Sequence, residues 1–260
     1  MDSDRFEAYM REFEYYHALR LLPDTWTVIR VDGRGFSRLT ASGFDKPFDP
    51  RFHDLMVRTA AALLEELHGL YAYTESDEIS ILFPRDWDLF DRELEKLVSV
   101  SAGLASAAFT HAHGSVAHFD SRVWLGPAAS HVTDYFKWRM ADAARCALNG
   151  WAYWTLRQEG QSARKATHAL DGLSASAKHE LLFARGINFA ELPLWQRRGT
   201  GLYWETYEKE GYNPVKNETV VTTRRRVVVD RELPLGEEYD ALILALPRRR
   251  ITLLLPFSFE

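Results

Sequence analysis

The stretch that decides the fold is Trp26-Thr27-Val28-Ile29-Arg30-Val31-Asp32-Gly33-Arg34-Gly35-Phe36. Its first part, rich in Val and Ile, is typical of a core strand, and the glycines that follow it predict a turn. Asp32 therefore stands at the carboxyl end of a rigid strand. The turn after it offers backbone N–H groups that suit a phosphate.

A second acidic turn separates two further apolar runs. Thr74-Glu75-Ser76-Asp77-Glu78 lies between residues 70–73 and 79–83, whose alternation predicts a hairpin in a sheet with one buried face. Carboxylates this close repel one another, so a solvated hairpin tip is one interpretation. We favour another, in which the first strand lies beside the hairpin. Asp32 and Asp77 then meet and hold divalent metal over a nucleoside triphosphate.

Length and composition restrict the class of protein. The chain has 260 residues, enough for one large domain or two small ones, with 46% hydrophobic residues and a net charge of −5. The mild net negative charge argues against a basic, histone-like binding protein. The single cysteine, Cys146, excludes an internal disulfide and a cysteine-rich zinc cluster, and it fits a cytoplasmic protein. We expect neither a signal peptide nor a membrane span.

Apolar residues at helical spacing complete the predicted architecture. Helices are expected over 5–20, 49–68, 87–111, 128–158 and 174–183. Together with the strands they predict an α+β fold in which helices pack on an antiparallel sheet. We expect a catalytic core over 1–140, a helical remainder over 141–205 and a β-rich C-terminal extension over 206–260.

The C-terminal extension carries two arginine runs. Val220-Val221 and Val227-Val228-Val229 flank Arg224-Arg225-Arg226, which predicts a hairpin with a basic end. Arg248-Arg249-Arg250 precedes a second apolar run. Arginine runs are usually solvated surface. Two of them in an acidic chain predict a segregated basic face that binds a phosphate backbone without reading its sequence.

Mg²⁺ is the metal that these two acidic turns suit best. It prefers hard oxygen ligands and keeps part of its hydration, so one or two carboxylates and the substrate's phosphates are enough. Two ions bridged by Asp32 and Asp77 would activate a hydroxyl and stabilise a departing pyrophosphate.

Several segments, in this order, carry a family resemblance. They are 30–36, Phe44-Asp45-Lys46-Pro47, Ser76-Asp77-Glu78, Phe119-Asp120-Ser121-Arg122, 134–142, 178–183 and Ile187-Asn188-Phe189. Together they resemble the tRNA-His guanylyltransferase family, including its bacterial and archaeal members that polymerise RNA in the 3′→5′ direction. The resemblance covers roughly residues 5–205 and is far more specific than any single segment.

The resemblance implies a palm-like polymerase core, a homotetramer, and roles for individual residues. Asp32, Asp77 and the backbone carbonyl of Gly33 are the implied ligands of two Mg²⁺ ions, and Glu78 tunes the metal site or completes the turn. The implied nucleotide-binding residues are Asp32, Gly33, Arg34, Gly35, Phe36, Ser37, Lys46, Ser76 and Asp77. We expect Lys178, Asn188, Arg139 and Arg198 to contact RNA or phosphate.

The implied reaction runs opposite to ordinary polymerisation. The 3′-hydroxyl of an incoming GTP or other nucleotide attacks the 5′ end of a tRNA, which carries a triphosphate or is first adenylylated with ATP. Eukaryotic members have a His-Ile-Asn-Asn run where this chain has residues 143–149, and a His where it has Ser37. Template-dependent repair of 5′-truncated tRNA therefore fits better than addition of one G to tRNA-His.

Three alternatives remain at this point. A diguanylate-cyclase-type enzyme shares the palm core, but its Gly-Gly-Asp/Glu-Glu-Phe turn differs from Glu75-Ser76-Asp77-Glu78. A non-catalytic RNA-binding protein is a second alternative, and the presence of both Asp32 and Asp77 counts against it. The third is an α/β domain whose acidic turns are only surface.

Overall fold

The computed structural model describes residues 2–213 and 217–254. The described strands are β1 (Trp26–Arg34), β2 (Tyr71–Glu75), β3 (Glu78–Phe83), β4 (His118–Gly126), β5 (Thr200–Asn213) and β6 (Glu218–Asp230). They form one sheet in the order β4-β1-β3-β2-β5-β6, and every neighbouring pair is antiparallel. The predicted α+β class and the predicted place of the first strand beside the hairpin are both confirmed.

Helices cover both faces of the sheet. They are α1 (Ser3–Arg11), α2 (Phe36–Leu39), α3 (Pro50–Glu66), α4 (Leu94–His113), α5 (Ala129–Gln158), α6 (Ala163–Leu170), α7 (Ala175–Phe183), α8 (Leu194–Arg198) and α9 (Gly236–Leu254). Ile29 and Val31 of β1 pack in the cluster with α3 and α4, whereas Val28 packs in the cluster with α5 and α9. The expectation of one buried face is therefore wrong for the centre of the sheet, where β3 is buried throughout.

The entry into α3 follows the predicted chemistry. Asp49 caps the helix by accepting a 2.7 Å hydrogen bond from the backbone N–H of Arg51, and Pro50 occupies the first helical turn. The apolar stripe of α3, which includes Met56, Leu63 and Leu64, is buried against the sheet. This packing fixes the loop that leads into α3 at the end of the sheet where Asp32 lies.

Two predicted helices are shorter than expected. The segment expected over 5–20 is helical only from Ser3 to Arg11, and its apolar stripe is exposed because no described element of the chain packs on it. The segment expected over 87–111 starts as a 3-10 turn, Leu89–Arg92, and becomes α4 at Leu94. Positive φ angles at residues 90–92 interrupt the helix there.

The C-terminal hairpin has its basic residues elsewhere than predicted. Arg224-Arg225-Arg226 lies inside β6, and the chain reverses between Asn213 and Glu218. Across the strands, the Arg225 guanidinium stacks on Trp204, and Arg226 forms an ion pair with Glu205. These cross-strand partners favour a strand over a turn, so the predicted basic hairpin end is wrong.

Three further expectations have different outcomes. The proposed boundaries at 140 and 205 fall inside α5 and β5, and the three-part division stays a prediction. The backbone of Arg248-Arg249-Arg250 lies in α9, and the side chains of this run lie outside the described residues. Within the described ranges, no helix combines the length and apolarity that a membrane crossing requires.

Candidate active site

The two acidic turns meet at one end of the sheet. The register of β1 places Asp32 opposite Glu78 on β3 and opposite Asp120 on β4. The backbone N–H of Gly33 donates a 2.9 Å hydrogen bond to the carbonyl oxygen of Asp77. β-pairing thus brings together two segments that are far apart in the sequence, as the residue pattern predicted.

The hairpin tip is a tight turn that presents Asp77. Ser76 adopts a left-handed backbone conformation with a φ of 48°, and its hydroxyl donates a 3.0 Å hydrogen bond to Oδ1 of Asp77. β2 ends at Glu75 and β3 begins at Glu78, so the reversal consists of Ser76 and Asp77. This short turn limits the movement of the Asp77 carboxylate.

The electrostatics of Asp32 and Asp77 favour a bound cation. Burial raises the pKa of both carboxyls above the usual range, and each is raised further by a neighbouring carboxylate, Asp120 beside Asp32 and Asp32 beside Asp77. Within the part of the chain that the structure describes, no side chain donates a hydrogen bond to Asp32. A hard divalent cation would relieve this repulsion, so the donor set fits Mg²⁺.

Protein ligands alone do not complete a metal centre here. Among the described residues, no group of three or more His, Cys, Asp or Glu side chains is arranged to hold a metal ion. Mg²⁺ commonly keeps several waters and takes its remaining ligands from substrate phosphates. A site built from Asp32, Asp77 and the carbonyl of Gly33 therefore suits an ion that arrives with a nucleotide.

Arg139 of α5 binds the two glutamates, Glu75 and Glu78, that lie on either side of the hairpin turn. Its Nε and Nη2 donate to the two carboxylate oxygens of Glu78 over 2.7 and 2.8 Å, and Nη2 also reaches Glu75 and Asp142 over 3.1 Å each. The residue is only 6% exposed. Burial and three acidic partners favour a structural role for this guanidinium, and its expected contact with RNA or phosphate stays a prediction.

Burial of this cluster changes the acidity of its members. Burial raises the pKa of Glu75 to about 8, the charge of Glu78 adds to this rise, and Arg139 opposes it. Burial also raises the pKa of Glu78, against the opposing charge of Arg139. Arg139 is thus the cation that allows acidic residues to flank Asp77 on both sides.

A cavity of about 440 Å³ opens beside Asp77. Its volume falls within the range of about 300–1,000 Å³ that is typical of small-molecule sites. Its polar residues include Lys46, Ser76 and Asp77, and small residues of α5 leave room for a ligand. Its aromatic walls are formed by Phe36, Phe44, Phe48, Phe52, Trp154 and Trp195. Flat apolar walls next to acidic and basic groups suit a nucleobase joined to phosphates.

Lys46 is the basic residue that the described cavity lining presents to a phosphate. Its Nζ donates a 2.5 Å hydrogen bond to Oγ1 of Thr40 and lies 5.9 Å from the centroid of the Trp154 ring. Burial lowers its pKa, while the negative charge of Asp77 acts in the opposite direction. The cation therefore faces the acidic turn across the mouth of the cavity.

The other predicted residues occupy varied positions. Ser37 lines the cavity, Gly35 has the left-handed conformation of a turn glycine, and Arg34 is exposed. Phe36 is buried, and its ring packs on the rings of three other phenylalanines, including Phe119. Phe36 therefore contributes chiefly to the core beneath the turn.

The remaining residues that were predicted to contact RNA or phosphate do not line the cavity. Asn188 donates to Glu191 and accepts from the backbone N–H of Ala190. Asn188 and Lys178, which lies on α7, are both partly exposed. Their roles toward RNA stay predictions. The guanidinium of Arg198 donates to the carbonyl of Leu233 over 2.8 Å, which favours a structural role over a phosphate contact.

Sequence reasoning missed the far wall of the cavity. The His53 ring packs on that of Trp195 with an interplanar angle of 35° and centroids 4.3 Å apart, and its Nε2 lies 2.8 Å from Oγ1 of Thr200. Its place on an otherwise apolar helix face was the available signal. Trp195 lies far along the chain, and its pairing with His53 is set by the fold alone.

Comparison with known proteins agrees with this geometry. A family model described as tRNAHis guanylyltransferase matches residues 7–127, and a model of the Thg1 C terminal domain matches residues 130–239. The chain belongs to the tRNA(His) guanylyltransferase family. It is thus a nucleotidyltransferase of that type, and this membership decides against the cyclase and the non-catalytic alternatives.

Relatives within this family match most of the chain. The tRNA(His) guanylyltransferase of Debaryomyces hansenii is 33% identical, over 94% of this chain and 95% of its own length. The enzyme of Schizosaccharomyces pombe is 32% identical, over 88% of this chain and 91% of its own length.

Solved structures share the fold. A bacterial Thg1-like protein in complex with ATP has a TM-score of 0.70 at 26% identity, covering 95% of this chain and 97% of its own. The complex of such a bacterial protein with GTP has a TM-score of 0.66 at 27% identity, with the same two coverages.

Proposed function

We propose that the chain adds nucleotides to the 5′ end of tRNA in the 3′→5′ direction. The observation that carries the proposal is the meeting of Asp32 and Asp77 beside a cavity with aromatic walls. The 3′-oxygen of the incoming nucleotide attacks the α-phosphorus of an RNA 5′-triphosphate, and pyrophosphate leaves. On a 5′-monophosphate end, ATP first transfers AMP with loss of pyrophosphate, and AMP leaves in the second step.

Asp32, Asp77 and the carbonyl of Gly33 would hold two Mg²⁺ ions with the help of nucleotide phosphates. When bound, such ions stabilise the charge that develops on phosphoryl oxygens. The residues of the chain hold the acidic turns, and with them the metal ligands, in position. The hydrogen bond from Gly33 to Asp77 fixes the distance between the two turns, and Arg139 fixes the hairpin tip against α5.

The cavity would receive the nucleotide whose phosphates reach the acidic turns. Its base would lie between aromatic side chains such as Trp154 and Trp195, and Lys46 would donate to a phosphate oxygen. Charge-assisted hydrogen bonds of this kind are among the strong ones. The GTP and ATP complexes of the bacterial relatives support a nucleotide as the ligand.

Repair of 5′-truncated tRNA is the function that we propose within the family. Residues 143–149 lack the His-Ile-Asn-Asn run, and three of them, Ala143, Cys146 and Ala147, form part of the cavity wall. This surface of α5 lines the cavity with small side chains, so it lacks the polar side chains with which that run would read tRNA-His. Template pairing within the tRNA would then select the incoming base.

The test incubates the chain with MgCl₂, GTP and a tRNA that lacks its first 5′ nucleotide, with either a mono- or a triphosphate at the new end. We expect one-nucleotide extension of the triphosphate RNA, extension of the monophosphate RNA only with ATP, and a dependence on the nucleotide opposite the gap. Asp77→Asn should abolish extension. Asp171→Asn, at an exposed position after α6, is the matched control. Absence of extension with either RNA would refute the proposal.

Assembly and location are two smaller proposals. A homotetramer is what the family resemblance implies for this chain, and a cytoplasmic location is what its single cysteine fits. Light scattering on the purified chain would measure the mass directly, and a value of one or two chains at working concentration would contradict the tetramer.

A further inference from the structure

Trp138 is a large aromatic residue that the reaction described above does not use. It lies on α5 and is 52% exposed, although Arg139 beside it is buried. Its ring contacts the Tyr135 ring, with centroids 5.7 Å apart. Guanidinium carbons of Arg139 and Arg30 lie 4.6 and 5.6 Å from its centroid. The indole is therefore held in place by its neighbours while about half of its surface remains open.

The position of Trp138 relative to Asp32 follows from the pleat of β1. Alternate residues of a strand share a face, so Arg30 and Asp32 lie on the face that α5 covers. Ser80, opposite Arg30 in the register, forms a 3.0 Å hydrogen bond with the Tyr135 hydroxyl and so ties α5 to this face. Trp138 thus lies over Arg30, and Arg30 precedes Asp32 by two residues on the same face of β1.

Trp138 and the cavity lie on different approaches to the acidic turns. The cavity is lined by Lys46, Ser76 and Asp77, whereas Trp138, Arg30 and Asp32 are not part of its lining. Attacking and leaving oxygens in phosphoryl transfer lie roughly in line, so the two reactants reach the centre from different sides. A cavity of about 440 Å³ suits a mononucleotide, and an RNA end needs the open surface.

The open approach also carries positive charge. The side chain of Arg30 lies 3.6 Å from Glu78, and its Nε is buried without a hydrogen-bond partner among the described residues. On β4, Arg122 stands opposite Arg30 and is half exposed, paired with Asp120. An aromatic face next to arginines is the combination that binds single-stranded nucleic acid by stacking and by neutralising phosphates.

We propose that Trp138 is the stacking platform for the nucleobase at the 5′ end of the RNA, with Arg122 facing the adjacent phosphates. This inference rests on the proposed function, because it assumes that RNA is the second reactant. It assigns Trp138 a binding role that does not involve the mononucleotide in the cavity.

The test measures RNA affinity and the KM for RNA in Trp138→Ala and Trp138→Phe. Loss of base stacking on an aromatic residue weakens binding by about tenfold or more. We expect this loss for Trp138→Ala, near-parental affinity for Trp138→Phe, and unchanged GTP affinity for both. Tyr16→Ala removes a more exposed ring, 75% accessible, and should leave all three quantities unchanged.

Salt dependence separates stacking from charge. Trp138→Ala should lower RNA affinity equally at all salt concentrations, whereas Arg122→Gln should reduce the slope of log affinity against log salt by about one unit, as for one phosphate contact. In the parent chain, RNA should quench tryptophan fluorescence, and Trp138→Phe should remove most of that quenching. This second readout uses a variant that keeps an aromatic ring in the same place.

The outcomes distinguish the two proposals. The stacking role alone is overturned if the parent chain extends RNA and Trp138→Ala keeps the parental KM for RNA. The same holds if the parent chain extends RNA and Trp138→Phe keeps the fluorescence quenching. A parent chain that binds RNA in a Trp138-dependent way without extending it supports the platform and refutes the proposed reaction.

Discussion

The backbone N–H of Gly33 donates to the carbonyl oxygen of Asp77, and the two atoms lie 2.9 Å apart. This hydrogen bond joins the end of β1 to the hairpin tip and sets the separation of the two acidic turns. The position needs glycine for a steric reason. A Cβ added at Gly33 would lie 2.6 to 2.8 Å from atoms of the Phe36 ring, which the core holds in place.

Gly33→Ala should therefore move the turn and destabilise the chain. Overpacking of this kind costs about 1–3 kcal/mol in the free energy of unfolding. We expect a loss of that size in urea unfolding, together with loss of most nucleotide transfer because Asp32 moves away from Asp77.

Gly103→Ala is the matched control for this substitution. Gly103 is an exposed residue of α4, and a Cβ there would meet nothing within 4 Å. Because alanine favours a helix interior by up to about 1 kcal/mol over glycine, this variant should be as stable as the parent or more so. Full activity in Gly33→Ala would show that the separation of the turns does not depend on this hydrogen bond.

The sequence allowed the meeting of the two acidic turns to be predicted because the local signals of the two segments agree with the way their strands pair. An apolar strand that ends at Asp32 and a hairpin that ends at Asp77 both place their carboxylates at strand tips. Once the two strands pair, the carboxylates must lie at the same edge. The structure confirms the pairing, with Asp32 opposite Glu78.

Long-range contacts account for what the sequence did not reveal. Asp142 lies one helical turn after Arg139, so this ion pair is local. Nothing in the pattern shows that Glu75 and Glu78 reach the same guanidinium, because α5 meets the hairpin only in the folded chain. The run from Arg224 to Arg226 was misplaced for the same reason. Its partners lie on β5, and arginine is as compatible with an exposed strand as with a turn.

Arg139→Met should be strongly destabilising. Removal of one partner from a buried ion pair costs about 3–5 kcal/mol, because the remaining charges are left without compensation. Here the Glu78 carboxylate would lose its cation while it remains next to Glu75 and near Asp77. Urea unfolding would measure the loss, and Arg139→Met combined with Glu78→Gln should recover part of it.

Arg145→Met is the control for the buried arginine. Arg145 pairs with the same Asp142, but its side chain is 66% exposed. Exposed ion pairs contribute about 0–1 kcal/mol, so this variant should unfold almost as the parent does. Equal losses in the two variants would contradict the central role of Arg139.

Lys46→Met should weaken nucleotide binding rather than folding. A hydrogen bond to a charged group contributes about 1.5–3 kcal/mol, so we expect GTP affinity to fall roughly tenfold or more. Calorimetric titration with GTP and Mg²⁺ measures this loss. Lys165→Met, on the exposed surface of α6, should bind GTP as the parent does. Unchanged affinity in Lys46→Met would place the phosphates elsewhere than at the mouth of the cavity.

His53 makes the stability of the chain depend on pH. Burial lowers the pKa of His53 to about 4, with the charge of Arg231 acting in the same direction, whereas an unfolded histidine titrates near 6.5. Between these values the unfolded state binds more protons, so the free energy of unfolding should decrease as pH falls from 6.5 towards 4. Full protonation of the unfolded state would make this contribution about 3–4 kcal/mol.

His53→Gln should remove that part of the pH dependence, because glutamine does not titrate yet keeps a hydrogen-bonding group near Oγ1 of Thr200. The measurement is urea unfolding of the parent and of His53→Gln at several pH values between 4 and 7. The carboxylates contribute equally to both curves, so the difference between the two free energies of unfolding isolates His53. His168→Gln, at an exposed position of α6, should keep the parental curve. Parallel curves for the parent and His53→Gln would mean that His53 has the same pKa in the folded and unfolded states, which would contradict the effect of its burial.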